Sequence, residues 1–156
     1  MLCLAQAGIL LLIFTAGAFA QSLSISKTTA QPGGAGSFLL TLDTPTTPAP
    51  VALQWKFIFP KEILVGIGDI VAGSAAESAQ KVLTCSPLSE PKVTGFACVL
   101  AGGKQPLRRG PLATVRYHVS PNVTQAGKIR VEKIIAVTAD MKQLEMPGAE
   151  GTVILQ

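Results

Sequence analysis

Reactive side chains are few in this chain, and their spacing narrows the chemistry open to them. The only histidine, His118, lies in the stretch LRRGPLATVRYHVSPN (Leu107–Asn122), near the adjacent pair Arg108 and Arg109. A histidine works as a general base when a nucleophile and an orienting acid stand beside it, and an arginine pair can hold an anion. No G-x-S-x-G or H-E-x-x-H surrounds His118, so neither a nucleophile elbow nor a zinc hydrolase is indicated. The nine carboxylates are Asp43, Asp69, Asp140, Glu62, Glu77, Glu90, Glu132, Glu145 and Glu150. Glycoside hydrolysis needs two carboxylates facing each other, and nothing in the sequence pairs these. No D-x-D-x-D-G loop is present, and Gly102-Gly103-Lys104 sits between apolar runs, where a turn is expected rather than a phosphate cradle. Asn122-Val123-Thr124 matches a glycosylation sequon, which matters only in a eukaryotic secretory path. Cys85, Cys98 and His118 are too few for a zinc site. The expectation is a chain with no catalytic residue, no metal and no cofactor.

The elements that carry these groups read as strands. Gly and Pro punctuate the chain from Pro32-Gly33-Gly34 to Pro147-Gly148, and between them lie short runs of period-two alternation. In GSFLLTLDT, Phe38, Leu40 and Leu42 share a face; in VALQWKFIF, Val51, Leu53, Trp55, Phe57 and Phe59 do. In GKIRVEKIIAVTAD the alternation puts Ile129, Val131, Ile135 and Val137 on one face, opposite Arg130, Glu132 and Thr138. With LSISK, EILVGIGDIVAG, QKVLTCS, VTGFACVLA, GPLATVRYHV and GTVILQ, nine strands are expected. Only GSAAESAQK (Gly73–Lys81) could form a short helical turn. Nine one-sided strands cannot bury themselves as one flat sheet. Two stacked, mainly antiparallel sheets can, so the expected class is an all-β sandwich of jelly-roll or immunoglobulin-like type with Trp55 at its centre. In GPLATVRYHV, Tyr117 then points inward, while His118 shares the outward face with Leu112, Thr114 and Arg116. That makes His118 a solvated strand histidine, and Arg108-Arg109 a solvated turn open to an acidic partner.

Composition sets the compartment. Residues 1–20 carry no charge and end in Ala18-Phe19-Ala20, the small-x-small pattern of signal-peptide cleavage. A basic n-region is missing, and an uncut membrane anchor is the alternative. Cleavage would leave residues 21–156 as one domain, exported, and free of the membrane. The net charge of +4 is dispersed, and there are only one Trp and one Tyr, which excludes a nucleic-acid binder on both counts. An oxidising compartment would pair Cys85 with Cys98. If QKVLTCS and VTGFACVLA are antiparallel neighbours, the register that joins the cysteines also sets Leu83 against Leu100.

The order of these runs resembles that of bacterial cohesin modules. VALQWKFIFPKEILVGIGDIVAG resembles the family's third and fourth strands. ACVLAGGKQPLRRGPLATVRYHVSPNVTQAGKIRVEKIIAVTAD resembles its later half, with the Gly-x-Leu-Ala-x-Val-x-Tyr-x-Val run at Gly110–Val119, and GTVILQ fits the last strand. The resemblance implies a nine-stranded jelly roll related to cellulose-binding modules, and a non-catalytic role holding dockerin-like partners in extracellular polysaccharide degradation. It implies a binding surface on the outer face of the sheet made by strands eight, three, six and five. Carried onto this sequence, that face shows Gln54, Lys56 and Ile58, then Ala97 and Val99, then Arg130, Glu132 and Ile134. Where the family often has Tyr-Asp-Pro after strand three, this chain has Ile58-Phe59-Pro60, and the Cys85–Cys98 pair is not a family hallmark. The sequence ends with the last strand, so a lone bacterial module, secreted, periplasmic or at the cell surface, is expected. Two other readings stay open: polysaccharide binding, and an envelope subunit assembling through a sheet edge.

Overall fold

The computed structural model describes residues 21–45, 47–61, 63–89 and 94–156. The expected signal peptide at 1–20, with Glu62 and Glu90, lies outside the described residues. In chain order the elements are β1 (Ser22–Ile25), β2 (Thr28–Ala30), β3 (Ala35–Asp43), β4 (Ala52–Phe59), β5 (Leu64–Ala72), α1 (Ser74–Ser78), β6 (Val82–Pro87), β7 (Thr94–Ala101), β8 (Gly110–Val119), β9 (Gly127–Val137), β10 (Gln143–Leu144) and β11 (Ala149–Leu155). They build two sheets, one ordered β1-β3-β8-β5 and the other β2-β11-β9-β4-β7-β6, with β10 paired to β9. Every ladder is antiparallel except β2 against β11.

The sandwich class is as expected, with two strands more than the nine read from the sequence. Beyond Ile25 the chain leaves the smaller sheet and crosses at once to the larger, where Thr28–Ala30 pair with Val153–Leu155. β10 continues the ladder of β9 past the end of β11, at Gln143↔Val137 and Leu144↔Ala136. Segments of three and two residues are too short to show a period of two.

The core lies between the sheets. Phe38, Leu40 and Leu42 of β3 face Leu53, Trp55 and Phe57 of β4, all of them at most 1% exposed. Each such side chain contributes about 1.5–3 kcal/mol relative to leaving it in water. The Phe38 and Phe57 rings meet edge-on with centroids 5.8 Å apart, and Trp55 meets Phe57 at the same distance and nearly perpendicular. Quadrupoles favour this geometry over face-to-face stacking.

Two irregularities break the alternation. In β9, Lys133 adopts φ +53° and the register against β4 shifts between Gln54 and Lys56. One extra residue therefore enters β9, and the two isoleucines after it change places relative to the expected faces. Ile134 packs against the core and Ile135 turns outward, correcting the placement of Ile134 on the outer face and of Ile135 on the inner one. In β8, the register against β3 passes from Ala113 to Pro111, skipping Leu112. Leu112, expected on the outer side, is fully buried. Its carbonyl accepts from the Gly73 amide at 2.8 Å, where the chain enters α1.

Cys85 and Cys98 are bonded, with Cα atoms 4.1 Å apart. The ladder of β6 and β7 sets Cys85 against Cys98 and Leu83 against Leu100, the register expected from the sequence.

Candidate functional site

The outer face of the larger sheet is built from alternate residues of β9, β4, β7 and β6, and its rows follow from the registers. Gln54 lies between Ile135 and Val99, and Val99 faces Thr84 on the far side. One row along, Lys56 lies between Glu132 and Ala97, with Ser86 beyond. In the next row Ile58 stands between Arg130 and Gly95, and Arg130 faces Glu150 of β11.

The two ends of this face differ in chemistry. Toward the start of β4, Val82 is 68% exposed and Val99 and Ile135 are each 41% exposed. Half-buried Ala52, Ala101 and Val137 continue the apolar character around them. Toward the end of β4 the face is charged: Arg130 reaches Glu132 at 2.9 Å, and Lys128 reaches Glu150 at 3.1 Å. An apolar patch rimmed by charge is the usual anatomy of a protein-recognition surface.

Of the residues expected on this face, Gln54, Val99 and Arg130 are exposed, and Lys56, Ile58, Ala97 and Glu132 are half-buried on it. Ile134 does not belong there. Sequence reasoning missed Ile135 and Val82. The bulge that turns Ile135 outward is made by a lysine rather than a glycine, so no residue type announces it. Val82 is the first residue of an edge strand, and its exposure depends on where that strand begins.

The other groups considered for chemistry are dispersed. His118 is exposed on the smaller sheet, and among the described residues its ring makes no hydrogen bond or ion pair. Its neighbour Arg116 holds Asp69 at 2.6 Å. Asp43 is held by Arg109, and Asp140 by Lys142. Among the described residues, Asp43, Asp69, Glu132, Asp140 and Glu150 are thus engaged by cations. Among the described residues no cluster of three or more His, Cys, Asp or Glu is placed to hold a metal ion.

Known structures share this architecture. A non-cellulosomal cohesin from the hyperthermophilic archaeon Archaeoglobus fulgidus superposes with a TM-score of 0.73 at 11% identity, over 88% of this chain and 91% of that one. The chain has the cohesin fold. The OlpA cohesin of a type I cohesin–dockerin complex from Clostridium thermocellum matches with a TM-score of 0.72 at 16% identity, over 88% and 99% of the two chains. The sixth cohesin of scaffoldin B from Acetivibrio cellulolyticus, solved with a Cel5 dockerin, matches with a TM-score of 0.70 at 11% identity over 88% and 99%. No protein-family model and no curated protein matches the sequence. Counted without the short β2 and β10, the neighbours β9, β4, β7 and β6 are the eighth, third, sixth and fifth strands in chain order, the numbers that the resemblance implied for the binding sheet.

Proposed function

We propose that this chain is a non-catalytic module that holds a partner protein on the outer face of its larger sheet. The observation that carries the reading is the Val82, Val99 and Ile135 patch around Gln54, on the sheet whose strand order is that of the cohesin fold. The cohesins of Clostridium thermocellum and Acetivibrio cellulolyticus named above were solved with dockerins, which supports a dockerin-like partner here and a place in extracellular polysaccharide degradation. Within the face we assign Val82, Val99 and Ile135 to the exposed apolar centre, Gln54, Lys56, Arg130 and Glu132 to its polar surroundings, and the half-buried Ile58 and Ala97 to the floor between them.

Export fits the Cys85–Cys98 bond, since such bonds persist in oxidising compartments. On this reading residues 1–20 are a signal peptide cut after Ala20. Mass spectrometry of the exported protein should find Gln21 at its N-terminus, and a retained Met1 would favour the membrane anchor.

A polysaccharide ligand is less well supported. Sugar-binding faces usually display exposed aromatics, whereas Phe38, Trp55, Phe57, Phe59 and Tyr117 are all buried and Phe96 is half-buried. Assembly through a sheet edge gains little from β5, whose ladder to β8 is interrupted by two register shifts. Bulges of that kind blunt an edge against further pairing.

The test is a pull-down from the secretome of the source organism with wild type, Val99→Asp, Ile135→Asp and Lys56→Glu. A partner retained by wild type and lost from the two aspartate variants, with their melting temperatures unchanged, supports the face. Recovery of no partner, or of one that binds all four proteins equally, overturns it.

A further inference from the structure

A second site is suggested at one end of the sandwich, in an open cleft of about 600 Å³ between α1 and the segment that leads into β8. Its walls are held in place from both sides. The Lys81 side chain, with its residue only 6% exposed, donates from Nζ to the carbonyls of Gly102 at 2.7 Å and Gly103 at 3.0 Å. Gly103 has φ +57°, and a Cβ there would come within 2.9 Å of the carbonyl oxygens of Ala79 and Gln80. Only glycine allows the loop to lie so close to the end of the helix. Further along, Leu107 is fully buried and its amide donates to the Pro50 carbonyl at 2.7 Å. Arg109 grips Asp43 with Nε at 2.8 Å and Nη2 at 2.5 Å.

These contacts leave one cation uncommitted. Arg108 lines the cleft and is exposed, and among the described residues it has no hydrogen-bond or ion-pair partner. The cleft contains no carboxylate. From Ala101 to Pro121 the sequence has no Asp or Glu, while Lys104, Arg108, Arg109 and Arg116 fall within it. On α1, Ser74, Ala75 and Ser78 line the cleft, with Ala79 just past its end, and the helix's one acid, Glu77, does not. The floor and walls mix Ser, Gln, Ala and Pro and hold no aromatic ring.

A cleft with fixed walls and one free guanidinium suits a carboxylate, because the planar fork can donate two parallel hydrogen bonds and so loses less entropy per hydrogen bond than an ammonium would. The absence of any ring on which a sugar could stack favours a peptide over an acidic glycan. Ser74, Ser78, Gln80 and Gln105 supply donors and acceptors for peptide groups, and Pro106 and Pro111 supply apolar surface for aliphatic stems. We propose that this cleft binds an acidic peptide segment of a partner protein, with its carboxylate in the fork of Arg108. The proposal is independent of the sheet-face reading.

The experiment uses fluorescence anisotropy of a labelled hexaglutamate peptide on the full chain at low ionic strength. Arg108→Ala should weaken binding by about tenfold or more, and Arg108→Lys, which keeps the charge and loses the fork, by an intermediate factor. Lys27→Ala, an equal loss of charge at an exposed residue outside both the cleft and the sheet face, should leave the affinity within about twofold. No binding to wild type, unchanged binding by Arg108→Ala, or an equal loss in Lys27→Ala overturns the proposal. Displacement of the peptide by oligogalacturonate at a lower concentration than by unlabelled hexaglutamate also overturns it, in favour of an acidic glycan.

Discussion

The hydroxyls of Thr28 and Tyr117 lie 2.7 Å apart in the buried interior, tying β2 of the larger sheet to β8 of the smaller. Thr28 also donates to the Ser37 carbonyl at 2.7 Å, so its single proton is used there and Tyr117 is the donor of the pair. Burial raises the pKa of Tyr117, which keeps that donor protonated. Tyr117→Phe removes one bond and leaves Thr28 satisfied, so its cost should be about 1 kcal/mol. Thr28→Val leaves the tyrosine hydroxyl buried without an acceptor and the Ser37 carbonyl without a donor, and should cost about 1–3 kcal/mol. Urea unfolding of the two variants tests the order. Equal losses would mean that the pair does not carry a buried donor.

The same tyrosine explains a glycine. Gly36 pairs with Tyr117 across β3 and β8, and a Cβ at Gly36 would come within 2.4 Å of the far end of the ring. The ring is fully buried and bonded at its tip, so it cannot swing aside. Gly36→Ala should therefore destabilise by about 1–3 kcal/mol, as overpacked sites do, and the loss should shrink in the background of Tyr117→Leu. A double-mutant cycle in denaturant reads the coupling; full additivity would place the strain elsewhere.

How much of this was legible in the sequence depended on regularity. Strict alternation in β3 and β4 was enough to find the core face and to centre it on Trp55, because both strands are regular where they cross the core. The cysteine register was legible because one pairing aligned two sulfurs and two leucines. The outer face was only partly legible. Its strands and most of its residues could be placed, but the αL conformation of Lys133 depends on how β9 fits against β4, and that is not a local property. The burial of Leu112 likewise depends on a register shift against β3. Arg108 and Arg109 could be read as a turn open to an acidic partner, but the cleft beside Arg108 was out of reach, since its walls come from segments about thirty residues apart in sequence that meet only through the fold.

Reducing the Cys85–Cys98 bond should cost about 3 kcal/mol on the loop-closure model, given a sequence separation of 13. β6 is the edge strand of its sheet and pairs only with β7, so the loss should fall first on β6. Hydrogen exchange with and without reductant should show faster exchange at Thr84 and Ser86, whose amides face β7 in the ladder that continues to Leu88 and Gly95, with the amides of Trp55 and Phe57 still protected. A uniform loss across β4 and β6 would show instead that the bond constrains the whole domain.

The turn after β9 carries a pH signature. Asp140 accepts from Lys142 at 2.8 Å and from the Thr138 hydroxyl, and these two contacts lower its pKa from 3.8 to about 2. Because the folded value is depressed, the stabilisation it gives the turn is complete above the unfolded value and disappears as the pH falls through the folded one. An NMR titration of the exposed Met141 at the tip should show a midpoint near the folded value of about 2. In Lys142→Gln the midpoint should rise toward 3.8, since the larger of the two contacts is gone. A wild-type midpoint already at 3.8 would mean that the ion pair does not persist in solution.

Lys133 gives the sharpest test of how the outer face is set. Its φ of +53° places a β-carbon in the left-handed region, which costs an ordinary L-residue roughly 1–2 kcal/mol. Glycine enters that region freely but has more freedom to lose from the unfolded chain. If the bulge is required by the packing of β9 on β4, Lys133→Gly should be neutral or stabilising by up to about 1 kcal/mol. Lys133→Val, β-branched and poorly suited to positive φ, should be destabilising by more than that. The outward position of Ile135 should survive in the glycine variant, because Gln54↔Ile135 and Leu53↔Ala136 pair beyond the bulge and both put Ala136 in the core. Paramagnetic-probe NMR on the methyl groups distinguishes the two isoleucines: Ile135 should be strongly broadened by a soluble probe and Ile134 weakly. If the valine variant proves as stable as wild type, β9 runs without a bulge. Ile134 and Ile135 would then exchange faces, and the apolar centre of the proposed partner surface would lose one of its three members.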